Sequence, residues 1–469
     1  MLLAGQLSQG IAPRSSILII FPGKQTVYRP WETPRTMRTP LTTALEECVL
    51  HMRCPALPSL LQERPFRRYW AGRSLSLLGG QISLLAFPLT AVLVLKVGPI
   101  PMAFLTAAGS VPALLLALPL GAWVDRRGRR RQVMIVADLA RAGLLALIPA
   151  AWVLGVLSLP VLIGLWFTFG IFSVLFNAAQ SAIFVSIVPE GQYAAASRLL
   201  SQARAGGYLL GPALAGWLIA ALSAPVALLA DAVSFVASAL SYGSLELPEA
   251  KPAPPEPRQI LAGLRFIRES LILSPMLAAG LTQGLFRAAF MALYVLYGTR
   301  DLHLSPGQWG LVLGPSSALA LLGSALGASI RRRIGLGPSL VLGTFVQTVP
   351  LLAVPLAGGP HALIVATVFL AEGLAGAGSM LAEVPQATLL ATVVPDRVRA
   401  RVSAAFHMAN TGMRPLGALL AAGLAWAAGV HVVLLTAATG MAVSGLWLLV
   451  PARSRLVGVE AWEGRLHPG

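Results

Sequence analysis

Twelve apolar runs, each about twenty residues long, dominate this chain, at approximately 75–95, 101–123, 133–153, 158–181, 203–222, 225–245, 275–298, 308–330, 338–357, 362–386, 403–427 and 431–450. A helix rising 1.5 Å per residue needs about 20 residues to cross roughly 30 Å of hydrocarbon. Inside a bilayer each segment must satisfy its own backbone amides, which leaves helices as the natural form. Composition agrees. Charged residues make up 11% of the chain and hydrophobic ones 56%, with a mean hydropathy of +0.75. A soluble chain carries about 25% charged residues. The 46 glycines and 35 prolines would break soluble helices but are tolerated in membrane ones. The expected fold is an all-α membrane protein with twelve transmembrane helices.

The formal net charge of +17 is distributed by loop. Alternate connections hold Arg126 to Arg131, Arg198 and Arg204, Lys251 with Arg258, Arg265 and Arg268, Arg331 to Arg333, and Arg397, Arg399 and Arg401. The opposite set holds little beyond Lys96 and Arg300. The positive-inside rule makes the first set cytoplasmic, together with both termini. The charge is therefore topological and predicts a cell (inner) membrane protein with no nucleic-acid partner. Cys48 and Cys54 precede the first span and match no metal or disulfide framework, so no metal and no cofactor is expected.

The two halves look like copies. Gly121-Ala122 recurs as Gly327-Ala328, Val188-Pro189-Glu190 as Val394-Pro395-Asp396, and Gly211 as Gly417, all offset by 206 residues. Two parallel six-helix pseudo-repeats form a transporter architecture with its substrate site between them. The expected division is a disordered or wrongly assigned extension at 1–65, a bundle at 66–245, a cytoplasmic linker at 246–274, a second bundle at 275–452 and a tail at 453–469. The linker opens with a stiff proline-rich spacer. It continues with Ile260, Leu264, Ile267 and Leu271 at helical spacing, as suits an interfacial helix.

The loop Gly121-x3-Asp125-Arg126-x-Gly128-Arg129-Arg130 resembles the signature between helices 2 and 3 of the major facilitator superfamily. Within it the chain is most similar to the bacterial branch holding macrolide-efflux proteins and the enterobactin exporter. The residues behind that likeness are Phe66-Arg-Arg-x-Trp70, Asp138-Leu-Ala-Arg141, Gly211-Pro212-Ala-Leu-Ala-Gly216, Asp231-Ala-x-Ser-Phe235, Gly263-Leu-Arg-Phe266 and Val394-Pro-Asp396-Arg397. The resemblance implies a conformational latch of Gly121, Asp125, Arg126, Gly128 and Arg129, closing the cytoplasmic ends when the carrier faces outward. The second-half copy has Arg331 where the acid is expected, so the latch would be asymmetric.

Charges deep in a span are costly and usually functional or paired. Arg287 lies about 18 Å from the inner end of helix 7 and Glu372 about 15 Å from the outer end of helix 10, at 1.5 Å per residue. These depths nearly coincide. The resemblance places helices 1, 4, 7 and 10 around the cavity, so Arg287 and Glu372 are expected to face each other there, Glu372 as a proton carrier. Gln81, Asn177, Gln180 and Gln283 are candidate polar contacts in the same cavity. Gly207, Gly211, Pro212 and Gly216 put small residues on one helix face, a packing motif. Asp138, Arg141 and Asp231 read as structural charges.

Neither an ATP-type phosphate loop nor a nucleophile–base constellation is present, so no enzyme is expected. The leading reading is a monomeric, proton-coupled exporter of hydrophobic or amphipathic small molecules, working by alternating access. A siderophore exporter or a metabolite uptake carrier is the second reading. A non-transporting membrane sensor or membrane enzyme is the reading from another class.

Overall fold

The computed structural model describes residues 59–189, 191–245 and 265–449. The extension before residue 59, the linker at 246–264 and the tail at 453–469 lie outside the described residues.

Eleven helical stretches among the described residues are long and apolar enough to cross a membrane. We number the helices α1 (Arg64–Leu89, continued by a π-helical turn Thr90–Val94), α2 (Pro99–Arg127), α3 (Arg130–Val153), α4 (Leu159–Ile187), α5 (Tyr193–Leu222) and α6 (Ala224–Gly243). They continue as α7 (Leu273–Arg300), α8 (Pro306–Ile334), α9 (Leu336–Thr348, then a 3-10 turn Val349–Ala353) and α10 (His361–Val393). The final stretch, Asp396–Trp447, contains Gly429 at φ 84° and ψ 170°, a left-handed bend where two helices meet without a loop. We call them α11 (396–428) and α12 (430–447). Val402 and Leu448 lie in one apolar cluster whereas Ala421 and Val433 lie in another. The chain therefore crosses and returns, and the passages number twelve among the described residues.

The helix starts carry local signals. Pro99, Pro160, Pro225 and Pro306 occupy first-turn positions, where a missing amide hydrogen removes no helical bond. Ser305 and Gln308 cap α8 reciprocally: the Gln308 amide donates to the Ser305 hydroxyl at 3.3 Å and the Ser305 amide to the Gln308 side chain at 2.8 Å. The first helix begins earlier than expected, and Ser59–Gln62 forms a further helical turn. Leu60 and Leu61 are buried there against Phe66 and Tyr69, which makes ordering them favourable.

α1 packs on α5 and α6, α2 on α4, and α3 on α4 and α6; α7 packs on α11–α12, and α10 on α8 and α9. Contacts between the first six and last six helices run mainly through α5 with α8 and through α2 with α11–α12. Large apolar side chains such as Leu240 (70% exposed) and Trp426 (80%) cover the outside. A surface of that kind suits lipid. This is a multi-pass membrane protein.

Three apolar clusters organise the interior. One spans both sets of six helices, joining Met102 and Leu105 of α2 and Ile219 of α5 to Leu296 of α7, Trp309 of α8 and Ala421 of α11. At the end carrying the arginine-rich turns the packing separates. Phe66, Val124, Met134, Phe176 and Tyr242 form one cluster, while Leu273, Met276, Leu340, Val402 and Leu448 form another. The core is continuous at one end of the bundle and split at the other.

Candidate functional site

Arg287 and Glu372 approach one another in the second set of helices. α7 turns Arg287 to the same face as Tyr294, seven residues on, and that face looks toward α10. The Tyr294 ring packs edge-on against Trp309 of α8, with centroids 4.9 Å apart. Its hydroxyl adjoins the Glu372 carboxylate, with Arg287 close enough for its charge to act on the same group. Tyr294 Oη and Glu372 Oε1 are both buried, and neither atom has an aligned hydrogen-bond partner. A buried carboxyl oxygen and a buried hydroxyl without aligned partners are costly to maintain.

Gln283 donates to Gln347 Oε1 of α9 at 3.0 Å, tying α7 to α9. Gln180 donates to Tyr69 Oη at 3.3 Å within the first set of helices. Both amides are thus engaged in helix packing, because a side-chain amide in an apolar bundle gains most from the nearest partner. Asn177 remains exposed on α4.

The acids of the first set gather around Arg141. Asp138 and Asp231 are both 0% exposed and Arg141 is 6% exposed. Arg141 forms an ion pair with Asp138 one turn away in α3. Its guanidinium also lies 4.2 Å from the ring centroids of both Phe176 and Phe235, a cation held between two aromatic faces. Asp231 accepts from Ser83 of α1 and from Ser234 at 2.9 Å. Gly79 of α1 makes room, since an added Cβ would fall 2.4 Å from Asp231 Oδ1. These three charges, with Ser83 and Ser234, fasten α1, α3 and α6 together.

The small residues of α5 divide between two neighbours. A Cβ on Gly211 would lie 2.4 Å from the Cβ of Gln81, and one on Gly207 3.6 Å from Leu77, so this face meets α1. Gln81 accordingly acts as a packing surface through its stem. Gly216 faces α8, and a Cβ there would come within 2.6 Å of the Pro306 carbonyl. Pro212 sits inside α5, and its carbonyl meets Gly310 of α8.

In the α2–α3 turn, Gly128 adopts φ 68°, a left-handed helix cap that favours glycine. Gly121 is different: nothing lies within 4 Å of an added Cβ, so no neighbour demands glycine in this conformation. Arg126 and Arg129 are exposed, and the side chain of Asp125 lies outside the described residues. Arg131, which sequence reasoning treats as topological charge, donates from Nε to the Tyr242 carbonyl at 3.1 Å and from Nη2 to that of Gly243. Arg68 donates to the Ser244 carbonyl at 2.6 Å. Two arginines thereby cap the C-terminus of α6, where cations meet the negative end of the helix. Arg414 of α11 also escaped sequence reasoning. It lies well inside the α11 span and is exposed, beside Asn410 on the same helix face.

Residues 69–418 match the Major Facilitator Superfamily. The chain belongs to that superfamily. As a member it is a transporter, with small molecules as the class of substrate. It is 28% identical to the multidrug efflux pump Tap of Mycolicibacterium fortuitum over 78% of this chain and 91% of Tap. It is 26% identical to the MFS-type transporter YfiS of Bacillus subtilis (strain 168), covering 85% of this chain and 94% of YfiS. Among solved structures, the nucleoside transporter NupG aligns at a TM-score of 0.67 and 13% identity, over 82% of this chain and 98% of NupG. A bacterial homologue of the iron transporter ferroportin, inward-facing, aligns at 0.62 and 17% identity, over 84% and 99%. These two likenesses concern the fold alone.

Proposed function

We propose that this facilitator-superfamily transporter is a secondary active exporter of hydrophobic or amphipathic small molecules that works by alternating access. The observation that carries the reading is the interior packing, continuous at one end and split at the arginine-rich end. Six helices on either side (66–245 and 275–452) then act as two bundles that rock about a central pocket. By the positive-inside rule the split end and both termini face the cytoplasm of a cell membrane, so the conformation is inward-open. Export, not uptake, is favoured by the likeness to Tap, a multidrug efflux pump. The bare surface around Gly121 supports a latch role for Gly121, Asp125, Arg126, Gly128 and Arg129. In the opposite state that surface has room to receive the second bundle.

Glu372 is the proposed proton carrier. It is a carboxyl inside a span, beside a hydroxyl and a guanidinium, with one oxygen unpartnered. Protonation would remove the charge that Arg287 faces. Alternating protonation and substrate binding then exchanges one for the other, with the protein acting as a monomer.

Two measurements test the reading. In a host stripped of its own efflux pumps, expression should lower the accumulation of macrolides and dyes. In proteoliposomes, an imposed pH gradient should drive their movement. Unchanged accumulation of every compound, together with no gradient-driven flux, would reject it.

A further inference from the structure

The geometry points to a two-arginine anion site between Arg287 of α7 and Arg414 of α11, which takes a carboxylate, sulfonate or phosphate carried on an amphipathic solute. This inference rests on the exporter reading above and names its substrate class.

The two helices run in parallel and in contact. A Cβ on Gly284 would meet Met413 at 3.4 Å and the Asn410 side chain at 3.9 Å, and one on Gly417 would meet the Leu285 carbonyl and the Ala288 Cβ. That register sets Arg287 beside Arg414, at one level. Both side chains are exposed, although each sits on a helix face that is covered farther along. Arg414 shares its face with Ala418 and Ala421, four and seven residues on, both 0% exposed in the cluster joining the two sets of helices. Arg287 shares its face with buried Tyr294. Neither arginine therefore looks at lipid. Both look into the space that opens where the core splits.

At this level two arginines stand against one acid, Glu372. Neither arginine makes an ion pair or hydrogen bond among the described residues. Glu372 is the acid whose field reaches Arg287, and it turns its Oε1 into a buried recess by Tyr294. Glu383 lies eleven residues, about 16 Å, nearer the split end. Asp138 and Asp231 are committed to Arg141 and to serines in the other set of helices. Arginine stays protonated under all physiological conditions, so two guanidiniums facing one space without ion-pair partners of their own favour an anion there. A carboxylate or a tetrahedral oxyanion matches their fork of donors. Met291 of α7 on one side of them and Leu114 of α2, whose side chain meets Gly412, on the other offer apolar surface for the rest of the solute.

The test uses the purified full chain in lipid-free detergent with two matched probes, dansylglycine and its methyl ester. Fluorescence titration should give an affinity for the acid at least tenfold tighter than for the ester. Arg414→Gln and Arg287→Gln should each weaken the acid about tenfold and leave the ester unchanged. Arg414→Lys should retain part of the preference. Equal affinities for acid and ester overturn the anion site and leave the exporter reading standing, whereas failure of both probes to bind counts against both. If the acid preference survives Arg414→Gln with ester binding intact, the site is wrongly assigned. Repeating the titration in nanodiscs with and without phosphatidylglycerol separates the two sources of anion. Selective loss of acid binding with the anionic lipid would assign the arginines to a lipid headgroup and overturn a solute site.

Discussion

A Cβ added to Gly216 of α5 would stand 2.7 Å from the Cα of Gly310 in α8, so the two helices touch backbone to backbone where the core is continuous. No side chain can be inserted there without separating them. Gly216→Val should therefore hold the continuous end apart. We expect normal membrane levels and at least a tenfold loss of efflux, read as dye accumulation in cells matched for protein amount.

Gly121 provides the opposite case. Its surroundings are open, so Gly121→Leu should leave thermal stability in detergent unchanged. If that surface docks against the second bundle in the other state, transport should nevertheless fall severalfold. Stability and transport that both match wild type would remove Gly121 from any latch.

Glu372→Gln keeps the shape of the carboxyl but cannot exchange a proton. Flux driven by a pH gradient in proteoliposomes should be lost, while binding of a neutral probe is retained. Tyr294→Phe removes the adjoining hydroxyl and should shift the pH midpoint of transport without abolishing it. Gradient-driven flux that persists in Glu372→Gln would exclude this carboxyl from coupling.

Arg141 is the most exposed to damage by a single change, because removing it leaves Asp138 charged and buried. Breaking a buried pair in this way costs about 3–5 kcal/mol. Arg141→Gln should accordingly lower the melting temperature markedly or abolish accumulation in the membrane. The double change Asp138→Asn with Arg141→Gln should recover much of the loss, and a double variant no better than the single would show that the ion pair is not the cause.

Asp301 follows α7 outside the spans. Partial burial pushes its carboxyl above the usual 3.8, against the opposing pull of Arg300, His303 and His431. A raised acid favours the folded state when protonated, so this contribution is present below about pH 3.8 and fades as pH rises through the shifted value. The side chain is largely exposed and the effect correspondingly small. Asp301→Asn should melt at or slightly above the wild-type temperature at pH 7 and match it near pH 3. A clear loss of stability at pH 7 would contradict the sign.

Much of the fold is legible before any coordinate is known. Apolar run length and alternating arginines fix the passages, and the α2–α3 turn identifies the superfamily. What the sequence hides is orientation and partnership. Gln180 and Gln283 sit on the expected helices, yet their amides find neighbours inside their own set, because a polar group in an apolar bundle takes the closest partner. Arg131 reads as one cation among several until the end of α6 is seen beneath it. Arg414 passes unnoticed because a single arginine in α11 has no sequence neighbour to mark it. Its significance arises only from the register with α7.

The bend at Gly429 leaves the last two passages joined with no slack. The α1–α2 and α3–α4 pairs are linked by several residues that can absorb a change of tilt, but a displacement of α11 must be handed directly to α12. There Gly440 grips the ring of Phe286, with room for no Cβ, and returns the movement to α7. Three helices are thus geared into a single lever, and the two guanidiniums it carries swing as one.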